Sequence, residues 1–145
     1  MSATIFASNN VALGSGVEKR RHLLCADDHE DIRTMMSLLL GTLGYQVTTT
    51  GNVTDALSLT QKGGFDLLIL DGKYPDGSGV DLCEQIRGFD SHTPILFLSG
   101  LAYESDIAKG MKAGAQAYLT KPLDMDVLEQ TIAGLTGSAY TRQAA

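Results

Sequence analysis

Short, uninterrupted apolar runs that end abruptly at a polar residue recur along this chain, and helix-period segments fill the intervals between them. His22-Leu23-Leu24-Cys25-Ala26 stops at Asp27-Asp28, Leu67-Leu68-Ile69-Leu70 stops at Asp71, and Ile95-Leu96-Phe97-Leu98, opened by Pro94, stops at Ser99. Runs of that length without alternation are what strands buried on both faces require. From Glu30 the period changes. Ile32, Met35, Met36, Leu39, Leu40 and Leu43 mark one face of a helix, Met35 and Met36 both reading as core, and Gly44 stands where a C-terminal glycine belongs. Tyr45 to Thr50 is rich in strand formers, and Asn52 is suited to cap a helix carrying Val53, Ala56, Leu57 and Thr60, which Gly63-Gly64 ends. Gly72 to Gly79 reads as a loop, Val80 to Arg87 as a helix, Glu104 to Lys112 as a helix and Ala115 to Leu119 as a short strand. A last helix runs from about Asp124, a suitable N-cap, to Leu135. Five strands alternating with five helices predict an α/β domain with a parallel sheet covered on both faces, because parallel neighbours need a crossover helix.

Such sheets bind ligands at the carboxyl ends of their strands. The polar residues that stop the runs fall on that edge: Asp27-Asp28, Asp71, Ser99 and, just beyond the fifth strand, Lys121. Clustered carboxylates raise one another's pKa unless a cation sits among them. The donors are hard oxygens, which favours Mg²⁺. A carboxylate beside Mg²⁺ and a lysine is equipped to attack a phosphoryl group while the cations neutralise its oxygens, and Ser99 is placed to donate to one of them. Taken singly, each of these residues is as readily a turn or cap residue. Their joint occurrence, each at a strand end, carries the argument.

Asp27-Asp28, Asp71, Ser99 and Lys121-Pro122, in this order, resemble the signature of response-regulator receiver domains of two-component, chemotaxis-regulator-like signalling. The loop Tyr74-Pro75-Asp76-Gly77-Ser78-Gly79 and the segment Gly114 to Pro122 resemble that family's loop and last-strand motifs, and the resemblance covers roughly residues 21–135. It implies a flavodoxin-like, doubly wound five-stranded parallel sheet of order 2-1-3-4-5 with five helices. It also implies that Asp71 accepts the phosphoryl group, and that Asp27, Asp28, Asp71 and the backbone carbonyl of Lys73 hold Mg²⁺. Lys121 then binds the phosphoryl group or the unphosphorylated carboxylate, Ser99 swings to the phosphoryl group, and Tyr118 rotates inward behind Ser99. That motion repacks the face formed by the fourth helix, fifth strand and fifth helix, from which a downstream effector reads the switch. The implied donor is a histidine kinase or histidine phosphotransfer protein, and the domain is a switch rather than a metabolic enzyme. Gly72-Lys73-Tyr74 departs from the family pattern. The Lys73 side chain either alters the lifetime of the acyl phosphate or points to solvent. His29, next to the acidic pair, is expected to face solvent near the site. A hydrolase with an aspartate nucleophile is the second reading, weakened because position 73 is lysine where a second acid is needed. A flavodoxin-like binding domain without phosphoryl chemistry is the third.

Composition bounds the partners. The 145 residues carry a net charge of −6, which argues against direct nucleic-acid binding. The one dense basic run, Lys19-Arg20-Arg21-His22, is too short to change that. No apolar run reaches a membrane span, and Cys25 and Cys83 read as buried thiols, so a reducing cytoplasm is expected. Residues 1–20 and 136–145 read as flexible extensions about a domain over 21–135. A stand-alone regulator, monomeric or weakly dimeric, is preferred over a receiver cut from a hybrid kinase or larger regulator.

Overall fold

The computed structural model describes residues 20–138, so the expected extensions fall almost wholly outside the described residues. Five parallel strands form the sheet: β1 (His22–Ala26), β2 (Gln46–Thr50), β3 (Leu67–Leu70), β4 (Ile95–Ser99) and β5 (Ala117–Thr120). Their order is β2-β1-β3-β4-β5, the order implied above. The helices are α1 (Glu30–Thr42), α2 (Val53–Lys62), α3 (Gly79–Arg87), α4 (Glu104–Ala113) and α5 (Met125–Thr136).

The uninterrupted apolar runs have the structural meaning they suggested. Alternate residues of one strand point to opposite faces, so a run without alternation feeds two cores at once. Leu24, Ala26, Leu68, Leu70, Ile95 and Phe97 pack with Val53 and Ala56 of α2, Leu82, Cys83 and Ile86 of α3, and Ala113 of α4. Leu23, Cys25, Leu67, Ile69, Leu96 and Leu98 pack on the other face with Met36 and Leu40 of α1 and Leu128 and Ile132 of α5. Both cysteines are buried free thiols.

Local signals placed most element ends. The Asn52 side chain accepts the Asp55 amide at the start of α2 and Asp124 accepts those of Asp126 and Val127 at the start of α5. Gly44, Gly63, Gly64 and Gly114 have positive φ, as expected of glycines past helix ends. Three expectations are corrected. Met35 is 36% exposed while Met36 is fully buried, because successive helical residues point about 100° apart and only one can face the sheet squarely. The segment read as a plain loop contains a two-residue antiparallel ladder, Lys73–Tyr74 with Gly77–Ser78, and Gly79 is already the first residue of α3. The last strand begins at Ala117 rather than Ala115, since Gly114 and Ala115 still close the end of α4 through hydrogen bonds to Met111 and Gly110.

The consequence for function lies at the β1–β3 junction. From β1 the chain winds outward to β2, then crosses back to β3 on the other side, so strand order reverses there. A crevice opens outside the carboxyl ends of strands at such a point.

Candidate functional site

β1 and β3 are paired in register, Ala26 opposite Leu70, so the residue after each strand stands beside the other. Asp71 N–H donates to the Ala26 carbonyl at 3.1 Å, and Asp27 N–H donates to the Thr50 carbonyl at 2.9 Å. The two strand ends thus hold the Asp27 and Asp71 backbones, and both residues are buried. Lys121 reaches them from the end of β5. Its Nζ lies 2.9 Å from Asp27 Oδ2 and 3.4 Å from Asp71 Oδ2. The Lys121–Pro122 bond is cis.

The two carboxylates are driven in opposite directions. Burial opposes ionisation of Asp27, but the His29 amide, at 2.9 Å, and Lys121 hold its carboxyl below the usual carboxylate range. Burial pushes Asp71 above that range. The Gly72 amide, at 2.6 Å from Oδ1, opposes the push, the Asp27 charge reinforces it, and Lys121 offsets only part of it. Burial also works to discharge Lys121, yet its two carboxylate partners hold its pKa above the ordinary lysine value. The result is an ammonium paired firmly with Asp27 and more loosely with Asp71, which leaves Asp71 the less satisfied of the two.

Asp28 lies at the rim, more exposed than Asp27. His29 is largely exposed, as expected, but its Nδ1 turns back to lie 3.1 Å from both Asp27 Oδ1 and Asp28 Oδ1. One ligand atom from each of Asp27, Asp28, His29 and Asp71 falls within 4.8 Å of all the others. Three carboxylates converging at that range, with a single lysine as their fixed cation, suit a hard divalent ion bound through oxygen. The three carboxylates therefore fit Mg²⁺, while the His29 ring nitrogen falls within the same cluster, where the sequence led one to expect oxygen donors alone.

Ser99 ends β4, fully buried, and its Oγ accepts the Leu101 amide at 3.1 Å. Tyr118 on β5 stacks on Phe97 and its hydroxyl donates to the Leu101 carbonyl at 2.6 Å. Ser99 and Tyr118 therefore both bond to the backbone of one residue in the β4–α4 loop. A Cβ on Gly72 would come within 2.7 Å of Ser99 Oγ and of Leu101 Cδ1, so the Ser99 and Leu101 side chains pack this tightly beside the acceptor because position 72 has no side chain. Lys73 is exposed and makes no ion pair among the described residues.

The structure thus brings Asp27, Asp28, Asp71 and Lys121 together, with Ser99 at the end of β4 and Tyr118 on β5 both bonded to the adjoining β4–α4 loop. Two contributors were missed. Arg33 Nη1 donates to the Asp27 carbonyl at 2.8 Å, and the buried Tyr74 hydroxyl accepts the Asp71 amide at 2.7 Å and donates to the Ala26 carbonyl at 2.8 Å. Arg33 lies on the polar side of its helix and Tyr74 in an apparent loop, so nothing in the pattern marked either.

Comparison with known proteins agrees with this arrangement. The family model described as "Response regulator receiver domain" matches residues 23–133. The response regulator protein PilR of Pseudomonas aeruginosa is 33% identical over 114 residues, 79% of this chain and 26% of PilR. The sensor histidine kinase RcsC of Salmonella typhimurium is 32% identical over 111 residues, 77% of this chain and 12% of RcsC. A solved structure of a putative response regulator from Chloroflexus aurantiacus is 30% identical with a TM-score of 0.77, covering 82% of this chain and 99% of that one. The chain spans about half or less of the length of the curated relatives it matches. With the sheet order, the acidic crevice and the match over 23–133 in agreement, the chain belongs to the response regulator receiver domain family.

Proposed function

We propose that this domain is a phosphorylation-controlled switch in which Asp71 accepts a phosphoryl group from a histidine kinase or a histidine phosphotransfer protein. The observation that carries the reading is the asymmetry at the β1–β3 junction. Asp71 and Asp27 are both buried beside one lysine, and Lys121 sits 0.5 Å nearer to Asp27 (2.9 against 3.4 Å).

An Asp71 carboxylate oxygen attacks phosphorus while the donor nitrogen leaves with its bonding pair, which yields an acyl phosphate on Asp71. Lys121, already within reach of Asp71 Oδ2, pairs with a phosphoryl oxygen. Ser99 exchanges its bond with the Leu101 amide for one to the phosphoryl group, and Tyr118, bonded to the same residue, follows the loop. Hydrolysis by water returns the carboxylate. Asp27, Asp28, Asp71 and the Lys73 backbone carbonyl are the residues that would hold Mg²⁺. When bound, the ion neutralises charge on the phosphoryl oxygens. A local change of charge biases a two-state loop, and the α4–β5–α5 face presents the result to an effector protein.

The switch reading implies a cytoplasmic protein that acts on no substrate other than itself. Among the described residues no helix is long and apolar enough to cross a membrane. A stand-alone regulator and a receiver within a longer regulator or hybrid kinase share this chemistry and differ only in what reads it. Both PilR and RcsC are much longer than their match to this chain.

The test is intact mass after incubation with Mg²⁺ and acetyl phosphate. A gain of one phosphoryl group is expected, absent without Mg²⁺ and absent in Asp71→Asn. No gain in the parent chain, or an equal gain in Asp71→Asn, overturns the reading. Continuous phosphate release from varied phosphomonoesters would favour a hydrolase instead.

A further inference from the structure

The hairpin after Asp71 is tied down at more points than its length needs. Tyr74 turns inward, only 7% exposed, and its hydroxyl joins the last residue of β1 to the acceptor by accepting the Asp71 amide and donating to the Ala26 carbonyl. Asp76, two residues on, points the other way. One of its oxygens takes the Val53 amide at 2.8 Å, and the other takes the Thr54 amide at 3.0 Å and the Thr54 hydroxyl at 2.9 Å. Those are the first residues of α2, whose unpaired amides favour an anionic acceptor. Behind the hairpin, Gly79 N–H donates to the Gly72 carbonyl at 2.9 Å. Gly77 lies so close to α2 that a Cβ there would sit 3.2 Å from Val53 Cγ2.

These ties flank Lys73 along the chain, although its side chain is exposed. The carbonyl before it is engaged by Gly79, the side chain after it is pinned under Asp71, and the turn beyond is held on α2. A backbone carbonyl cannot be aimed by a rotamer of its own side chain. Its direction follows from the ψ of Lys73 and the φ of Tyr74, and the contacts on both sides restrain that peptide.

We propose that Tyr74 and Asp76 are positioning residues that hold the Lys73 carbonyl toward the carboxylates before any cation arrives, so that cation affinity depends on two side chains that never touch the ion. This rests on the reading of the acidic crevice as a Mg²⁺ site with the Lys73 carbonyl among its ligands. Groups that orient metal ligands without binding the metal carry about 10- to 100-fold of its affinity.

The experiment is titration calorimetry of the full chain with Mg²⁺ alone, with no phosphodonor, beside thermal melts in EDTA. Tyr74→Phe removes only the hydroxyl, and Asp76→Ala only an exposed cap. Each is expected to weaken Mg²⁺ binding by about tenfold. Asp76→Asn, which keeps one accepting oxygen, is expected to regain part of that loss. The double variant is expected to be little weaker than the worse single one, because both side chains act through the same carbonyl. Mg²⁺ affinities within about twofold of the parent in both variants, whatever happens to their melting temperatures, would overturn the proposal, since a purely structural role lowers the melt and leaves affinity alone. A parent chain that binds Mg²⁺ but gains no phosphoryl group loses the switch reading and leaves this result standing. A parent that binds no Mg²⁺ loses both.

Discussion

Asp27 and Asp71 are the same residue type in one buried crevice, and the difference between them is set by their neighbours. Folding holds Asp27 below the usual carboxylate range and Asp71 above it. Linkage fixes the sign of each contribution. A depressed carboxyl stabilises the fold above its unfolded-state pKa, and that stabilisation is lost as pH falls through the folded-state value. A raised carboxyl destabilises wherever it is ionised, and the penalty fades as pH falls through the raised value and then the unfolded one. In EDTA near neutral pH, Asp71→Asn should therefore raise stability by about 1 kcal/mol, or roughly 3 °C of melting temperature. The gain should shrink as the buffer is taken toward about pH 4. Asp27→Asn should do the reverse, lowering the neutral-pH melt by an amount that disappears in acid. Melts of the three proteins across that range check both signs, and an Asp71→Asn melt below the parent's at neutral pH would contradict the assigned direction. At this scale the sequence was informative where a polar residue ends an apolar run, which is why Asp27, Asp28, Asp71 and Ser99 could be read from it. It was silent on Tyr74, because a tyrosine in a glycine-rich stretch gives no sign that its hydroxyl will reach back between two strands.

Elements meet at the site through glycine. Gly79 opens α3, and a Cβ there would sit 2.0 Å from the Asp71 carbonyl oxygen and 2.9 Å from the Phe97 ring. Its φ does not require glycine; the approach of helix to strand does. Gly79→Ala must push α3 off the end of β3, and overpacking against backbone costs about 3 kcal/mol. The shift would also break the Gly79–Gly72 hydrogen bond, so Mg²⁺ affinity should fall with stability. Denaturant midpoints and Mg²⁺ titration of Gly79→Ala check this, and a midpoint within error of the parent's would show that α3 can move without cost. Gly134, whose Cβ would meet nothing within 4 Å, is the matched control. Gly134→Ala lies inside α5 and should be neutral or mildly stabilising. The contrast explains why element boundaries were legible and element contacts were not. Caps and C-terminal glycines act within a few residues, so Asn52, Asp124 and Gly44 could be read directly. Gly79 looked like the tail of a loop because its partner, the Asp71 carbonyl, is brought to it only by the completed βα crossover.

On the scale of the whole molecule, one sheet serves two cores, and the acidic crevice stands at the end of that shared sheet. α1 and α5 cover one face and α2, α3 and α4 the other, yet β1, β3 and β4 contribute buried residues to both. Neither layer of helices can leave without exposing strands on which the opposite layer rests. The strand runs foretold this coupling, since an unbroken apolar run is half wasted unless both faces are covered. Damage to either layer should therefore appear as loss of the whole domain. Leu82→Ala in α3 and Leu40→Ala in α1, both fully buried and on opposite faces, should each cost about 2–5 kcal/mol. A domain of this size has only about 5–15 kcal/mol in total, so each variant is left marginal. Both should unfold in a single transition. The chain has five tyrosines and no tryptophan, and Tyr74 and Tyr118 pack on the α3 face while Tyr45 packs on the α1 face. Tyrosine fluorescence and far-ultraviolet circular dichroism should then give coincident midpoints in both variants. If Leu82→Ala lost its tyrosine signal well before its helical signal, the two layers would be separable. The crevice would then have to draw its rigidity from β1 and β3 alone.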